Sequence, residues 1–334
     1  MARPPGLART GRRALVVALA LTLGSRALAG EPSAPLAWEE PGGLQRLFLQ
    51  LPFEAPTVAR PGTLEAELRL IYSNTILVET AQAAAIDVDL ETAQFTGFLR
   101  YGVADGWELE VALPVTIDYG GFLDGFIQSV EGLFNAVNPA RANRPRNLCR
   151  FRVTYDGRVA WVDGTDAGLG DIWVGAKAAL LEQSGALPAL ALRAALKLPT
   201  GRYPIGSGEV DAGGSLVLGW TFAPLALFLE VDGMTPTATL RVLGMATRPY
   251  GAAQADLAVS PADPLTLHLQ LSAATSPLQG TGLSPVDDGV RYLLLGISYR
   301  VSPSWEAEFG AVENIYSPYR GVDFAFYLGG RGKL

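Results

Sequence analysis

The sequence predicts an all-β protein, a transmembrane antiparallel up-and-down β-barrel. Three observations predict this fold: the chain begins with an export signal, apolar and polar residues alternate over many segments, and the connections are short and long in turn. Beyond the export signal, no apolar run reaches the roughly 20 residues that a membrane helix needs. Because only helices and closed barrels satisfy their backbone polar groups in lipid, a membrane protein with this sequence must be a barrel.

The export signal occupies residues 1–29. Four arginines within the first 13 residues precede an apolar run over 14–24, and Ala27-Leu28-Ala29 has the small-x-small pattern of a signal peptidase site. We therefore expect cleavage after Ala29 and a location in the outer membrane of a diderm bacterium. The predicted domains are the signal peptide (1–29), an N-terminal extension (30–62) and the barrel (63–334).

The alternation has a period of two residues, which is typical of strands with one apolar and one polar face. In 106–117, the odd positions from Trp107 to Val115 are apolar, whereas Glu108 and Glu110 lie between them. Fourteen segments follow this pattern, an even number that suits a closed barrel. They are 63–74, 85–101, 106–117, 147–155, 158–164, 170–182, 187–198, 211–222, 225–233, 250–260, 264–274, 289–300, 304–313 and 322–334.

Two of these regions, 147–164 and 225–233, alternate weakly, so twelve strands is the alternative count. Short turns such as Asp156-Gly157 and Ala223-Pro224 separate some segments, and longer connections such as 118–146 separate others. Short turns on one side and long loops on the other are typical of outer-membrane barrels.

Aromatic residues flank the short turns and would form a girdle at one membrane interface. They are Tyr101, Trp107, Trp220, Phe222, Tyr299 and Trp305. An exported β-sandwich would also alternate, but its core would not supply a second face that carries charged residues on many strands. The last segment, 322–334, resembles the terminal strand that barrel assembly machinery recognises, although it ends in Leu334 rather than Phe. The expected partners are therefore outer-membrane lipid and that machinery.

The polar face of the strands would line the barrel lumen. The predicted lumen-lining residues are Glu65, Glu67, Arg69, Glu108, Glu110, Arg150, Arg152, Asp171, Lys177, Arg193, Lys197, His268, Gln270, Glu306 and Glu308. Their charges are of both signs, which suits either a polar pore wall or a salt-bridged interior without an open path, because opposite charges on neighbouring strands attract. The N-terminal extension would either enter this lumen as a plug or stay in the periplasm.

The long connection 118–146 contains a predicted amphipathic helix, because its apolar residues recur at spacings of three and four. These residues include Phe122, Leu123, Phe126, Ile127, Leu133 and Phe134. Two interpretations stay open. The helix could act as a gate or landing site for a hydrophobic solute, or it could be a lid that packs on neighbouring loops.

Four short motifs occur in order: Gly120-Gly-Phe-Leu-Asp-Gly-Phe-Ile127, Gly168-Leu-Gly-Asp171, Lys197-Leu-Pro-Thr-Gly201 and Gly206-Ser-Gly208. Together with Lys177 and Asp211, they resemble domain-of-unknown-function family 3187 from about Gly62 to the C-terminus. The resemblance implies an exported, outer-membrane-like protein and no particular activity. The family tends to carry a His after the first motif, and 128–131 has none.

Composition and motifs argue against several functions. The chain has a net charge of −7 and no basic patch, so nucleic acid is not an expected partner. Its single cysteine, Cys149, excludes an intramolecular disulfide. No Cys/His metal-ligand spacing, P-loop or dinucleotide-binding motif occurs, and carboxylate pairs such as Glu108 and Glu110 are a weak signal for Ca²⁺ because strand alternation produces them anyway, so we expect no metal or cofactor.

The sequence thus predicts a pore or transporter for an unidentified small solute and not an enzyme. A closed structural or surface barrel is the first alternative. A hydrolase that uses His268, the only histidine, is the second. Ser272 faces the same side as His268 but lies about 13 Å along the strand, which is too far for a nucleophile–base hydrogen bond.

Overall fold

A computed structural model of the chain describes residues 30–133, 141, 144–237, 239–315 and 320–334. The predicted signal peptide lies outside the described residues. No helix in the described part is long and apolar enough to cross a membrane.

Strands are the dominant regular secondary structure of the described chain. Its strands are β1 (Leu64–Thr80), β2 (Ala84–Ala104), β3 (Trp107–Tyr119), β4 (Arg150–Tyr155), β5 (Arg158–Asp163), β6 (Asp166–Leu169), β7 (Trp173–Leu181), β8 (Ala189–Lys197), β9 (Asp211–Phe222), β10 (Leu225–Pro236), β11 (Thr239–Leu240), β12 (Met245–Ala246), β13 (Tyr250–Ala262), β14 (Leu265–Ala274), β15 (Val290–Ser302), β16 (Trp305–Asn314) and β17 (Phe324–Lys333). The helices are α1 (Leu123–Leu133) and α2 (Ser284–Asp287), and a 3-10 turn spans Gln45–Leu47.

Twelve of these strands form a closed antiparallel barrel, as the fold prediction requires. Their order is β1, β2, β3, β7, β8, β9, β10, β13, β14, β15, β16 and β17. The barrel closes where β17 pairs with β1, from Glu65 opposite Lys333 to Asn74 opposite Phe324. The closed hydrogen-bonding leaves no free edge in the wall, which excludes the β-sandwich alternative.

The count of fourteen wall strands is wrong, and the alternative count of twelve is right. The two extra segments form the β4–β5 hairpin, which pairs with Ala84–Asp89 at the start of β2. Strands β1 and β2 contain 17 and 21 residues, whereas a tilted membrane strand needs about 10. Their surplus length projects from the barrel and offers an edge that this hairpin covers.

The two faces of the wall are apolar outside and polar inside. Leu68 is 64% exposed and Leu295 is 56% exposed on the outer face, whereas Arg69 and Gln270 on the inner face are fully buried. This arrangement is the reverse of a water-soluble barrel and suits a lipid environment. The predicted girdle residues lie beside the short turns, and those most exposed are Tyr101, Trp107, Phe222 and Tyr299.

The largest of three buried apolar clusters extends to the end of the barrel that carries the long loops, called the long-loop end below. Ile86 and Val88 of β2 pack there with Phe151 of β4 and with Leu243 of the loop between β11 and β12. The same cluster includes Leu47 of the N-terminal chain. The opposite, short-turn end has no comparable apolar cover among the described residues.

Candidate functional site

Residues 30–62, the N-terminal segment, run inside the barrel. Gly30 lies against Asp263 at the short-turn end. The segment reaches the long-loop end near Arg46, which binds Asp118. It then returns, and the backbone N–H of Ala59 donates to Glu108 before β1 begins. The segment contributes no strand to the wall, so it is held mainly by side chains that point into the lumen.

The main anchor is Glu54, which lies among three cations of the wall. Its carboxylate oxygens are 2.6 Å from Lys177 Nζ, 2.8 Å from Arg100 Nη2 and 3.5 Å from Arg193 Nη2. Burial opposes ionisation of Glu54, but the three cations outweigh that effect and hold the pKa of its carboxyl well below the ordinary value. Glu54 is therefore a buried, fully ionised anchor.

The same cations also bind carboxylates of the wall. Lys177 is 2.8 Å from Glu108, and Arg193 is 3.2 Å from Glu110 and 3.1 Å from Glu230. Oxygens of Glu54, Glu108 and Glu110 lie within 4.8 Å of one another, close enough to share a metal ion. Positive charge is already supplied there by Lys177 and the arginines, so the cluster is an ion-pair network rather than a metal site.

Two further acidic residues of the segment are buried in the lumen. Burial raises the pKa of Glu39, although Arg69 at 3.7 Å acts in the opposite direction. Burial also raises the pKa of Glu40, to about 8. At neutral pH, Glu40 is therefore mostly protonated in the folded protein.

Arg46 forms a second anchor, at the long-loop end. Its Nη1 and Nη2 donate to the two oxygens of Asp118 at 2.8 and 2.6 Å, and its Nε donates to the Pro204 carbonyl at 2.8 Å. The guanidinium lies 5.3 Å from the centre of the Phe151 ring. Bidentate contact with a carboxylate and stacking on a ring are the interactions that guanidinium groups favour.

Three of the four motifs that resemble family 3187 meet at one carboxylate, Asp171; the first motif, 120–127, lies elsewhere, at helix α1. It accepts hydrogen bonds from the backbone N–H of Gly201 at 2.8 Å and of Ser207 at 2.7 Å, and from the Ser207 hydroxyl at 2.9 Å. Lys197 lies 3.4 Å from Asp171 and 2.8 Å from Asp211. A Cβ at Gly201 would lie 2.8 Å from the backbone of Gly170, so this close approach requires glycine.

This motif cluster also holds the N-terminal segment. The backbone N–H of Leu49 donates to Asp211 at 2.8 Å, and Lys197 Nζ donates to the carbonyl of Leu47. Residues far apart in the sequence thus fix the loop between β8 and β9 and the part of the N-terminal segment near Leu49 at the same point.

The structure places the predicted lumen residues as follows. Eleven are buried on the lumen side: Glu67, Arg69, Glu108, Glu110, Asp171, Lys177, Arg193, Lys197, His268, Gln270 and Glu308. Glu65 and Glu306 are half-buried and line a cavity of about 520 Å³ at the short-turn end. Arg150 and Arg152 do not line the lumen, because they lie on the β4–β5 hairpin, where Arg150 pairs with Asp87 and Asp163.

Several lumen residues were not among those predicted from the sequence. Arg100 continues the inward alternation of β2, a signal that was present in the sequence. Glu230 and Asp232 lie on the weakly alternating segment that became β10. Glu54 and Arg46 carry no sequence signal, because the N-terminal segment has no periodic pattern.

Helix α1 lies against the outer face of the barrel. Phe126 is 48% exposed and contacts Phe324 and Phe326 of β17, and Phe122 is 68% exposed and stacks on Tyr72 of β1. Phe122 and Phe126 therefore lie outside the lumen, because the rings that they contact point away from it.

The other predicted gate residues are placed only in part. Leu123 and Ile127 are buried beneath α1. Leu133 ends the helix, and Phe134 lies outside the described residues.

His268 forms a Ser–His–Asp arrangement across three neighbouring strands. Its Nδ1 is 2.9 Å from Asp256 Oδ2, and its Nε2 is 3.0 Å from Ser298 Oγ. Ser298 supplies the neighbouring-strand serine that a hydrolase would require. All three side chains are buried, however, and the backbone around Ser298 is paired on both sides, which leaves no N–H group to stabilise an oxyanion.

The cavities agree with a structural role for this histidine. The 520 Å³ cavity and two smaller cavities of about 50 and 40 Å³ are lined by none of these three residues. Leu36 of the N-terminal segment instead lies close to Gly296, the residue opposite His268. We interpret the arrangement as a polar network that orients lumen side chains.

Solved outer-membrane proteins are similar in structure. The COG4313 outer membrane channel from Pseudomonas putida F1 is 14% identical, with 83% of this chain and 97% of that chain covered and a TM-score of 0.55. The NanC porin is 9% identical, with 80% and 100% covered and a TM-score of 0.45. The first similarity shows that this chain has the barrel fold of an outer-membrane channel.

Sequence comparison gives the family. No curated protein matches the sequence. The family model described as "Protein of unknown function (DUF3187)" matches residues 15–334, which is nearly the whole chain. The chain therefore belongs to the DUF3187 family.

Proposed function

We propose that the protein is an outer-membrane channel for a small solute and that its N-terminal segment closes the lumen until it moves. The short-turn end would face the periplasm and the long-loop end the exterior. We also propose export with cleavage after Ala29, which the mass of the purified mature protein would test.

The observation that carries this proposal is that the wall is complete without the N-terminal segment. All twelve wall strands pair with one another, and the segment is bound through Arg46, Glu54 and the backbone near Leu49. Movement of the segment would break these contacts but leave the wall's own hydrogen bonds intact. The surface that it uncovers is polar, as a water-filled path requires.

The test is a disulfide that fastens the segment to the wall. A Cβ at Gly42 would lie 3.5 Å from Thr75 Cβ, within the range for a disulfide. We would make Gly42→Cys with Thr75→Cys in a Cys149→Ser background. Val322→Ala would be added, because the Cβ would lie 2.7 Å from a Val322 methyl group.

We expect the reduced protein to conduct in planar bilayers and the oxidised protein to be closed. A matched protein with Thr75→Ser in place of Thr75→Cys controls for the other changes and should not respond to oxidant. Equal conductance of the oxidised and reduced forms would contradict the proposed gate. No conductance in any form, including one that lacks residues 31–60, would favour the closed structural barrel.

A further inference from the structure

The lumen wall carries more acidic than basic side chains. On the described wall strands, nine buried acidic residues and five buried basic residues point inward, an excess of four carboxylates. The acidic residues are Glu67, Glu108, Glu110, Asp118, Asp211, Glu230, Asp232, Asp256 and Glu308, and the basic residues are Arg69, Arg100, Lys177, Arg193 and Lys197.

Opening of the lumen would expose this excess of carboxylates to water and to passing solutes. Water that replaces the N-terminal segment would hydrate the carboxylates and favour their ionised form. An acidic lining in a narrow pore attracts cations and repels anions. The wall of the open lumen would therefore favour cationic solutes.

The Arg46 site shows how such a solute would be held. Asp118 is buried and also accepts a hydrogen bond from the Thr92 hydroxyl at 2.8 Å, so the wall orients this carboxylate independently of Arg46. The Pro204 carbonyl and the Phe151 ring complete a site for a planar cation.

One more observation indicates that Arg46 does not use every polar group around this site. The buried hydroxyl of Tyr203, whose ring packs edge-on against Phe151, has no hydrogen-bond partner among the described residues. The site therefore has a hydroxyl group beside it that Arg46 does not use.

We propose that the channel transports cationic solutes with a guanidinium or ammonium group, and that Asp118 binds this group. In the closed state Arg46 occupies the site as an internal ligand. A cationic solute would compete with Arg46 for Asp118 and so favour release of the N-terminal segment. This inference rests on the proposed channel function.

The first experiment measures ion selectivity in planar bilayers. The reduced form of the variant with Gly42→Cys and Thr75→Cys, and the variant lacking residues 31–60, would each be placed in a KCl gradient, and the reversal potential would be recorded. We expect a potential of the sign for K⁺ preference. Conductance with no cation preference would overturn this inference but keep the channel, whereas absence of conductance would overturn the channel proposal itself.

The second experiment tests the site without conductance. Arg46→Ala leaves Asp118 buried without its cation, so n-propylguanidinium should bind there and raise the unfolding temperature in detergent. The neutral analogue n-propylurea should not. Adding Asp118→Asn should weaken n-propylguanidinium binding about tenfold or more, because charge-assisted hydrogen bonds are lost.

Arg202→Ala is the matched control for the second experiment, because it removes the cation from Asp166 in a more exposed pair at the same end of the barrel. It should show no comparable effect of n-propylguanidinium. Equal stabilisation of Arg46→Ala and of the Arg46→Ala, Asp118→Asn double variant would overturn the assigned site. If Arg46→Ala does not fold, the selectivity measurement still tests the cation preference, because its variants do not contain this substitution. Asp118→Asn in the variant lacking residues 31–60 would then test the site: n-propylguanidinium should stabilise that variant less than it stabilises the same variant with Asp118.

Discussion

Glu54 of the N-terminal segment and Lys177 of β7 approach to 2.6 Å, and both side chains are almost completely buried. This ion pair joins the segment to a wall that does not depend on it. Loss of the Glu54 charge should therefore weaken the attachment of the segment without affecting the pairing of the wall strands.

Glu54→Gln should loosen the N-terminal segment. The substitution removes one charge from a buried network and leaves Lys177 and Arg100 with fewer partners. Removing one partner of a buried ion pair costs about 3–5 kcal/mol of stability. We expect more frequent openings in single-channel records. Glu31→Gln is the control, because Glu31 is exposed on the same segment. An unchanged open probability would show that Glu54 does not hold the segment closed.

Glu40→Gln should change how stability depends on pH. The pKa of Glu40 is about 8 in the folded protein, against an ordinary value of 4.5, so the folded state keeps a proton that the unfolded state loses between these values. The free energy of unfolding should therefore fall as pH rises through this window, by at most about 1.4 kcal/mol per pH unit. Below about pH 4.5, Glu40 is protonated in both the folded and the unfolded state, so it causes no further change of the free energy of unfolding with pH.

The measurement for Glu40 is urea unfolding, followed by the gel migration of folded and unfolded protein, at pH 4.5 and pH 8.5. The Gln variant should equal the parent at the lower pH and exceed its stability at the higher pH. A constant difference between the two proteins at both pH values would refute the assigned protonation of Glu40.

Asp171→Asn should destabilise both the barrel and the part of the N-terminal segment near Leu49. Asn keeps one acceptor oxygen but places an NH₂ group against backbone donors, and it removes the charge that faces Lys197. Hydrogen bonds to a charged group contribute about 1.5–3 kcal/mol each. We expect a lower unfolding temperature and faster protease cleavage within residues 30–62. Asp105→Asn, in an exposed turn, is the control and should change neither.

Ser298→Ala should leave channel function unchanged. In the described part of the chain, the Ser298 hydroxyl is buried, lines none of the three cavities and has no oxyanion donor beside it, so a fluorophosphonate probe should not label the folded protein. Labelling that the substitution abolishes, together with ester hydrolysis that it also abolishes, would establish the hydrolase alternative instead.

The sequence determined the barrel because alternation is a local property. In a stretch such as Trp107–Val115, the alternation by itself indicates which residues face lipid and which face the interior. The wall can close once each strand has these two faces and the turns join the strands. Hence eleven buried lumen residues could be named in advance. The strand count failed where local pattern and global position differ, since the β4–β5 hairpin alternates like a wall strand but pairs beyond the membrane.

Only the tertiary structure decided what fills the lumen. Glu54 and Arg46 lie in a segment without periodicity, and their partners Lys177 and Asp118 are 123 and 72 residues away in the chain. Likewise, Ser298 meets His268 only because their strands are neighbours. Contacts of this kind depend on register and closure of the whole sheet, which no local pattern of residues encodes.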